Sequence, residues 1–185
     1  MQTAVRNEFL SADEYLAAEE ASDTRHEYVG GLAYAMAGET RDHNQIVQNL
    51  GFAFRQHLQS GPCRLYLSDI RVNFNLHQDE YFYYPDIVAT CDKRDTHPRF
   101  VRHPRLIIEV LSESTERTDR REKFFAYTGI ESLEEYALVA QEAREVTVFR
   151  RGNDWKAETF SGGDAIAVFR SLKAKIPLSA IYDGV

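Results

Sequence analysis

The spacing of apolar residues predicts two helices and a hairpin in the first third of this chain. Over residues 40–58, apolar residues recur every three to four positions, which is typical of a long amphipathic helix. Near the N-terminus, a capping-box pattern that starts at Ser11 predicts a first helix over residues 13–21. Between these helices, Gly30-Gly31 interrupts a β-prone stretch, residues 26–36, and predicts a β-hairpin.

Strand patterns dominate the rest of the chain. Four of them follow the long helix without a helix between each pair, at residues 63–67, 70–76, 81–90 and 105–111. The later part adds a helix, a short buried strand and a second hairpin, at residues 118–127, 133–139 and 145–160. Because consecutive strands of this kind are unlike a doubly wound fold, the pattern predicts a mixed α/β architecture of the α+β kind.

Composition narrows the classes of protein to consider. The 185 residues are 43% hydrophobic and show no shift in composition, so we expect one domain over residues 1–185. The net charge of −7 disfavours a protein that coats nucleic acid non-specifically and leaves any such contact to a local basic patch. The sequence has neither an apolar run of roughly 20 residues nor a signal-peptide pattern, which predicts a soluble cytoplasmic protein with no membrane partner.

The two cysteines, Cys63 and Cys91, are far apart in the sequence. Their spacing matches neither a disulfide framework nor a metal-binding knuckle. We therefore expect both to be small apolar residues in or near strands.

Two carboxylates interrupt strands that are otherwise apolar. Asp86 lies in the sequence Tyr-Pro-Asp-Ile-Val, and Glu109 lies in Leu-Ile-Ile-Glu-Val-Leu. An unpaired carboxylate inside such a strand is costly, so each requires a partner, most simply a metal ion. If the two strands are neighbours, the carboxylates converge, and together with the Val110 carbonyl and several waters they suit Mg²⁺ or Mn²⁺.

Lys123 completes a candidate catalytic set. Helical spacing over residues 118–127 puts four side chains on one face: Arg120, Lys123, Phe124 and Tyr127. A metal ion and a nearby lysine can activate a water for attack on phosphorus and stabilise the developing phosphorane, as metal-dependent phosphodiester cleavage requires. A simpler alternative stays open, in which Lys123 forms a surface ion pair with Asp119.

These residues resemble the PD-(D/E)XK nuclease superfamily and, within it, the bacterial Uma-two (Uma2) family of restriction-endonuclease-like proteins. Three successive motifs carry the resemblance: Tyr-Pro-Asp-Ile-Val at residues 84–88, Ile-Ile-Glu-Val-Leu-Ser-Glu-Ser-Thr at 107–115, and Asp119, Lys123 and Tyr127. The stretch at residues 26–31 resembles the family's first hairpin, and His43-Asn44-Gln45-Ile46 resembles its long helix. The similarity extends over about residues 11–150.

The resemblance implies a restriction-endonuclease-like fold, with a central mixed sheet flanked by helices and with an N-terminal helix and hairpin. It also implies that Asp86 and Glu109 are metal ligands. In the superfamily's usual pattern the lysine stands two residues after the second acid, where this chain has Leu111. Members of the similar family place a lysine on the following helix instead, and the resemblance carries that role to Lys123.

Four other polar residues are candidates for supporting roles: Glu27, His43, Asp69 and Asp119. Glu27 lies in a strand-like run, where it supports the metal ligands, contacts the ion, or faces solvent. His43 is at the front of the long helix, where it contacts phosphate or the attacking water, or forms a structural hydrogen bond. Asp69 orients the metal site or caps the end of a strand.

Basic residues flank Glu109 on both sides in the sequence and are candidates for contacts with DNA phosphates: Arg99, Arg102, His103, Arg105, Arg117, Arg120 and Arg121. The alternative for these residues is an ordinary solvated surface. The sequence contains no pattern typical of a base-reading helix, so it predicts no sequence specificity.

The leading hypothesis is a Mg²⁺- or Mn²⁺-dependent endodeoxyribonuclease in which Asp86, Glu109 and Val110 hold the ion and Lys123 assists the water. Since cutting both strands of a duplex usually takes two active sites, we expect a homodimer that acts on DNA. One alternative is a catalytically silent nuclease-fold protein that binds nucleic acid or a protein partner, a reading that Leu111 keeps open. Another is a hydrolase of a small phosphorylated or acidic substrate, which requires a pocket with focused positive charge.

Overall fold

A computed structural model describes residues 9–112 and 116–185 of the protein, so the end of the motif at residues 107–115 lies outside the described residues. The helices are α1 Ala12–Glu20, α2 Arg41–Leu58, α3 Glu116–Thr118, α4 Phe124–Thr128 and α5 Leu178–Ile181. A π-helical turn, Asp119–Lys123, joins α3 to α4, and a 3₁₀ turn spans Arg151–Asn153. None of the helices in the described part is long and apolar enough to cross a membrane.

The strands are numbered in chain order: β1 His26–Val29, β2 Leu32–Ala35, β3 Arg64–Leu67, β4 Arg71–Leu76, β5 Asp79–Tyr83, β6 Ile87–Thr90, β7 Phe100–Val101, β8 Pro104–Leu111, β9 Glu135–Ala140, β10 Glu145–Arg150, β11 Ala157–Ser161, β12 Ile166–Phe169 and β13 Ala174–Pro177. Both predicted hairpins are confirmed, since β1 pairs with β2 and β10 pairs with β11, each antiparallel. A further antiparallel hairpin, β12 with β13, lies near the C-terminus.

The first two helices begin at capping residues, of which the sequence predicted the first, and both predicted helices are confirmed. Ser11 and Glu14 form a capping box, in which the Ser11 hydroxyl accepts from the Glu14 N–H at 3.3 Å and Glu14 Oε2 accepts from the Ser11 N–H at 2.8 Å. Thr40 caps α2, and its hydroxyl accepts from the His43 N–H at 3.1 Å. These bonds satisfy N–H groups that a helix start leaves without partners, so they fix His43 on the first turn of α2.

Two mixed sheets form the framework. The larger has six strands in the order β11-β10-β9-β8-β6-β3, with β8 and β9 parallel. The smaller has five strands in the order β2-β1-β5-β4-β7, with β4 and β7 parallel. The predicted mixed fold is confirmed, and the five-stranded sheet is an addition to the central sheet that the sequence predicted.

The prediction of one strand over residues 81–90 is wrong. The chain forms β5, Asp79–Tyr83, in the five-stranded sheet and β6, Ile87–Thr90, in the six-stranded sheet. The break falls at Tyr84-Pro85-Asp86, because Pro85 has no N–H to donate to a strand ladder. The chain therefore passes from one sheet to the other directly before β6.

Strand β8 lies at the centre of the core, and its side chains alternate between two apolar clusters. Ile108 and Val110 pack in one cluster with the buried face of α2. Ile107 packs in the other cluster with Tyr127 of α4 and with side chains of the five-stranded sheet. Glu109 belongs to the same alternating set as Ile107, so its carboxylate faces α4 and the second sheet.

Cys63 and Cys91 form a disulfide, which corrects the expectation that both are unpaired apolar residues. Strands β3 and β6 pair antiparallel with Arg64 opposite Thr90, and the two cysteines are one step further along this ladder. Their Cα atoms are 4.0 Å apart although 28 residues separate them in the sequence. Strand pairing brings the sulfurs together, and cysteine spacing alone does not reveal such a pair.

The predicted helix over residues 118–127 is present, but it contains the π-helical turn. The wider turn changes which side chains share a face: Asp119, Lys123 and Tyr127 are buried, whereas Arg120 is exposed. The prediction that Arg120 shares a face with Lys123 is therefore wrong, because the spacing rule of an α-helix does not hold across a π turn.

Candidate active site

Asp86 and Glu109 meet across neighbouring strands. Strands β6 and β8 pair antiparallel with Ile87 opposite Ile108, so one step further along the ladder Asp86 comes opposite Glu109. The Asp86 N–H donates to Glu109 Oε2 at 3.3 Å, and the Val110 N–H donates to Asp86 Oδ2 at 2.7 Å. The backbone of each strand thus holds the carboxylate of the other, which brings the two acids together as their strands predicted.

Lys123 lies against Glu109 from the side of the helix. Its Nζ is 3.1 Å from Glu109 Oε1, 2.9 Å from Glu27 Oε1 and 3.5 Å from Asp119 Oδ1. The Tyr127 hydroxyl also donates to Glu109 Oε1, at 3.2 Å. Lys123 and Asp119 are both buried, so the alternative of a surface ion pair between them is wrong.

The π-helical turn lets two charged side chains from one helix enter the site. Asp119 and Lys123 stand at the two ends of the turn and are both buried, while the residues between them are exposed. Successive side chains on a π turn are separated by a smaller angle than on an α-helix, which keeps Asp119 and Lys123 on one face and turns Arg120 away from it. Such turns are frequent at functional sites.

Glu27 reaches the site from the five-stranded sheet. It lies on β1 and is only 2% exposed, so the alternative in which it faces solvent is wrong. Its Oε1 accepts from the Tyr84 N–H at 3.2 Å and also contacts Lys123. One carboxylate oxygen therefore joins the lysine to the segment between the two sheets.

His43 contacts Asp86 from the first turn of α2. Its Nε2 is 3.2 Å from Asp86 Oδ2 and 3.7 Å from Glu39 Oε2. The ring also interacts with the Val110 carbonyl. His43 thus lies beside two of the predicted metal ligands, Asp86 and Val110, and its hydrogen bond to Asp86 orients that carboxylate.

Burial and crowded negative charge shift the pKa values of the site. Burial raises the pKa of Glu109 well above its ordinary value, and repulsion from Asp119 and Asp86 adds to this. Burial also raises the pKa of Glu27 and of Glu39.

The two basic groups respond to the same surroundings. Burial lowers the pKa of Lys123, but attraction to Glu109, Glu27 and Asp119 outweighs it and raises that pKa well above its ordinary value. Burial likewise lowers the pKa of His43, and its hydrogen bond to Asp86 reverses this into a net rise. Glu27, Glu39 and Glu109 are thus driven toward the neutral form while the lysine stays charged.

A cavity of about 30 Å³ lies among these side chains. Its lining includes Lys123, the His43 ring and five carboxylates, from Glu27, Glu39, Asp86, Glu109 and Asp119. The acids outnumber the bases, and the volume is sufficient to hold a water molecule. Several lining residues also border an open groove of about 1430 Å³, so the cavity lies beside a path to solvent.

The chemistry of the donors fits a divalent cation. Among the described residues, no group of three or more His, Cys, Asp and Glu side chains is arranged to hold a metal ion by itself. Mg²⁺ commonly binds through one or two carboxylates and keeps several waters, so Asp86, Glu109 and the Val110 carbonyl are a sufficient set. The excess of carboxylates around the cavity also favours a cation there.

Most of the predicted phosphate contacts lie elsewhere. Arg105 pairs with Glu134, Arg99 pairs with Glu20, and Arg102 donates to Asn73. Arg117, Arg120 and Arg121 are exposed on the outer face of their helix, and the His103 N–H donates to Asp95. The arginines that border the groove are instead Arg25, which pairs with Asp69, and Arg41. Asp69 therefore belongs to the edge of the groove and is 64% exposed.

Sequence reasoning missed Glu39, Arg25 and Arg41. Glu39 precedes α2, four residues before His43, and this spacing at a helix start is the available signal for their contact. Arg25 and Arg41 have no neighbouring motif in the sequence. Arg25 directly precedes β1 and Arg41 begins α2, and the fold brings both to the groove. A sequence pattern does not predict that these two distant residues border the same groove.

Comparison with known proteins identifies the family to which this chain belongs. Residues 12–179 match the model of the Uma2 family, described as "Putative restriction endonuclease". Two proteins of Synechocystis sp. are similar over nearly their whole lengths. The uncharacterized protein slr1290 is 34% identical, covering 95% of this chain and 93% of its own length, and the uncharacterized protein sll1609 is 28% identical, covering 94% and 99%.

A solved structure has the same fold. The crystal structure of "a putative nuclease belonging to DUF820" from Anabaena variabilis superposes with a TM-score of 0.77, covering 94% of this chain and 97% of that chain. The two sequences are 19% identical, so the likeness concerns the fold.

Proposed function

Because this chain belongs to the Uma2 family, the restriction-endonuclease family that its motifs resemble, we propose that it is a metal-dependent endonuclease that hydrolyses DNA phosphodiester bonds. One observation carries the proposal. Asp86 and Glu109 meet on adjacent strands with Lys123 in contact with Glu109, beside a water-sized cavity that opens toward a groove. Such a group of acids, with a charged lysine next to it, suits phosphodiester cleavage.

The proposed metal ligands are Asp86, Glu109 and the Val110 carbonyl, with Mg²⁺ or Mn²⁺ as the ion. When bound, the ion supplies neutralisation of the phosphodiester charge and a lowered pKa for water. The protein's own part is to hold both carboxylates by backbone N–H groups and to orient Asp86 with the His43 ring. This arrangement is set by the fold before any ligand enters, which favours catalysis.

Lys123 is the proposed catalytic cation. Its ammonium is held within 3.1 Å of Glu109, so it lies at the edge of the metal site rather than on the protein surface. From there it can steady the attacking water and offset the negative charge that develops on the phosphorane. It would take the role that a lysine at the position of Leu111 has in the superfamily's usual pattern.

The open groove beside the cavity is the proposed path of the substrate strand. Its basic side chains are Arg25, Arg41 and His43, whereas five acids also line it: Asp23, Glu39, Asp42, Asp69 and Asp86. The groove is not strongly basic, so we expect DNA binding to be weak and to depend on the metal ion. A homodimer, which would place two such sites on one duplex, remains part of the proposal.

The test is cleavage of single- and double-stranded DNA with Mg²⁺, Mn²⁺ or EDTA. We expect cleavage with either ion, no cleavage with EDTA, and none for Asp86→Asn. Cleavage that persists in EDTA, or at full rate in Asp86→Asn, would overturn the proposal.

A second candidate is a catalytically silent nuclease-fold protein that binds nucleic acid or a protein partner. Leu111 at the usual lysine position favours it, as does the engagement of Lys123 with three carboxylates. The same assay separates the two candidates when DNA binding is followed in parallel by fluorescence anisotropy. Binding without any cleavage, under every metal condition, would support the silent protein.

A further inference from the structure

Glu27 has a position that the proposed chemistry does not require. Glu109 and Lys123 come from the six-stranded sheet and the helical segment after it, and Asp86 directly precedes β6 of the same sheet. Glu27 comes from β1 of the five-stranded sheet. It is 2% exposed, and burying a carboxylate is costly unless it is well paired. An apolar side chain at this position would pack between the sheets without the free-energy cost of burying a charge. The carboxylate therefore requires a role other than packing.

Both contacts of Glu27 Oε1 concern the site. The Lys123 ammonium is 2.9 Å away, shorter than its distances to Glu109 and Asp119, and the Tyr84 N–H donates at 3.2 Å. Tyr84 is two residues before Asp86, in the segment where the chain passes between the sheets. One oxygen therefore ties the lysine to the segment that carries a proposed metal ligand.

A lysine needs such a restraint more than other catalytic groups do. Its ammonium ends a flexible four-carbon chain, and fixing it in one place costs substantial rotamer entropy. Lys123 has three N–H donors and three carboxylates around it. If Glu109 turns toward a metal ion, Glu27 and Asp119 are left to hold the ammonium.

We propose that Glu27 is a positioning residue that holds the Lys123 ammonium in place relative to Asp86. This inference rests on the proposed nuclease function, in which Lys123 acts on the attacking water. It differs from a metal-ligand role, because the closest partner of Glu27 is the lysine. It differs from a merely structural role, because its effect on turnover passes through Lys123.

The first test compares Glu27→Gln with Glu19→Gln as a matched control. Glu19 is also a buried acid that bonds to Tyr84, through the hydroxyl at 3.0 Å, but it does not line the cavity. We expect Glu27→Gln to lower kcat by about 10- to 100-fold with KM and the Mg²⁺ requirement unchanged, and Glu19→Gln to leave kcat alone. Glu27→Asp, which keeps the charge, should recover part of the loss.

A double-variant cycle decides whether Glu27 acts through the lysine. In a Lys123→Ala background, Glu27→Gln should cause no further loss of kcat. Additive losses would overturn the proposal, as would a shift in Mg²⁺ requirement, which would make Glu27 a metal ligand. Equal behaviour of Glu27→Gln and Glu19→Gln would assign it a structural role.

A measurement without catalysis separates failure of this inference from failure of the proposed function. In the protein labelled with ¹⁵N-lysine, the buried and ion-paired Lys123 ammonium should give a slowly exchanging NMR signal, assigned by its loss in Lys123→Ala. We expect Glu27→Gln to shift or broaden that signal and Glu19→Gln to leave it unchanged. An unchanged signal in Glu27→Gln would overturn the inference even if the wild type cleaves DNA, whereas a wild type that never cleaves would count against the function alone.

Discussion

Two buried clusters of charge in the described part of the protein are built differently. In one, Glu135 of β9 faces Arg150 of β10 in the same ladder. Glu135 Oε1 accepts from Arg150 Nε at 2.6 Å and from the Arg170 N–H at 2.9 Å, and its Oε2 accepts from the Ser171 N–H at 2.9 Å. Both oxygens of this acid are satisfied, and the arginine also pairs with Glu158.

The cluster around Lys123 has the opposite character. Five carboxylates border one cavity with a single lysine and a histidine, and burial raises the pKa of Glu27, Glu39 and Glu109. Satisfied buried pairs fix a structure, whereas an excess of one charge next to an open volume leaves room for a ligand of the other sign. The comparison thus separates a structural ion pair from a candidate site inside the same sheet.

The largest expected effect concerns the acids of the site. Glu109→Gln should abolish metal-dependent DNA cleavage, because it removes a proposed ligand charge. It should leave the free energy of unfolding in EDTA unchanged or higher, since it also removes a buried charge whose pKa is raised. Cleavage assays and urea unfolding check the two parts, and a large loss of stability would make Glu109 a structural residue.

Glu135→Gln should show the reverse pattern. Removing one partner of a buried ion pair leaves the other poorly compensated, so we expect the free energy of unfolding to fall by about 3–5 kcal/mol. Metal-dependent cleavage by the folded fraction should stay at the wild-type level. If this variant loses turnover while keeping its stability, the division between the two clusters does not hold.

Lys123→Ala probes the mechanism inside the acidic cluster. We expect turnover to fall about 10²-fold, or about 3 kcal/mol of transition-state stabilisation, with metal affinity nearly unchanged. Adding Leu111→Lys should partly restore turnover, because residue 111 points to the same side of β8 as Glu109. Full activity of Lys123→Ala would remove this lysine from the mechanism.

The smallest expected effect is the response of stability to pH without metal. A carboxyl whose pKa is higher in the folded protein binds more protons there, so stability falls as the pH rises from its ordinary value of 4.5 through the raised one. The pKa of His43 is raised as well, so its contribution to the free energy of unfolding is fully present below its ordinary pKa of 6.5. That contribution is lost as the pH rises from 6.5 through the raised value. The contribution of Lys123 to the free energy of unfolding is constant below its ordinary pKa of 10.5, so it adds no slope in this range of pH.

The free energy of unfolding in EDTA should therefore fall between pH 5 and pH 8, by on the order of 1 kcal/mol for each unit of raised pKa that the window covers. Glu109→Gln should flatten this dependence relative to the wild type, and Mg²⁺ should do so as well. If the free energy of unfolding depends equally on pH in the wild type and in Glu109→Gln, the pKa of Glu109 is not raised in the folded protein and this prediction is wrong.

Sequence patterns predicted the parts of the fold that rest on local signals. The cap at Ser11, the hairpin at Gly30-Gly31 and the helical spacing of α2 all involve neighbours in the sequence. The convergence of Asp86 and Glu109 could also be predicted, because Glu109 lies in β8 and Asp86 directly precedes β6, the strand that pairs with it.

What the sequence did not predict depends on contacts between distant segments. The Cys63–Cys91 disulfide follows from the register of β3 and β6, and the burial of Glu27 follows from the packing of one sheet against another. The exposure of Arg120 follows from a π turn that no residue pattern announces. In each case tertiary structure decides between local alternatives of similar energy.

The passage of the chain between sheets at Tyr84-Pro85-Asp86 has a consequence for how this protein tolerates change. Glu27 lies in one sheet and Glu109 in the other. The distances from Lys123 to these two carboxylates therefore depend on how the two sheets are positioned relative to each other. If the protein is the proposed nuclease, substitutions in β1 or β5 would alter the rate of DNA cleavage while sparing the fold and every proposed metal ligand. Under the proposed function, sequence change in the smaller sheet would tune the rate of cleavage at a site built mainly from the larger one.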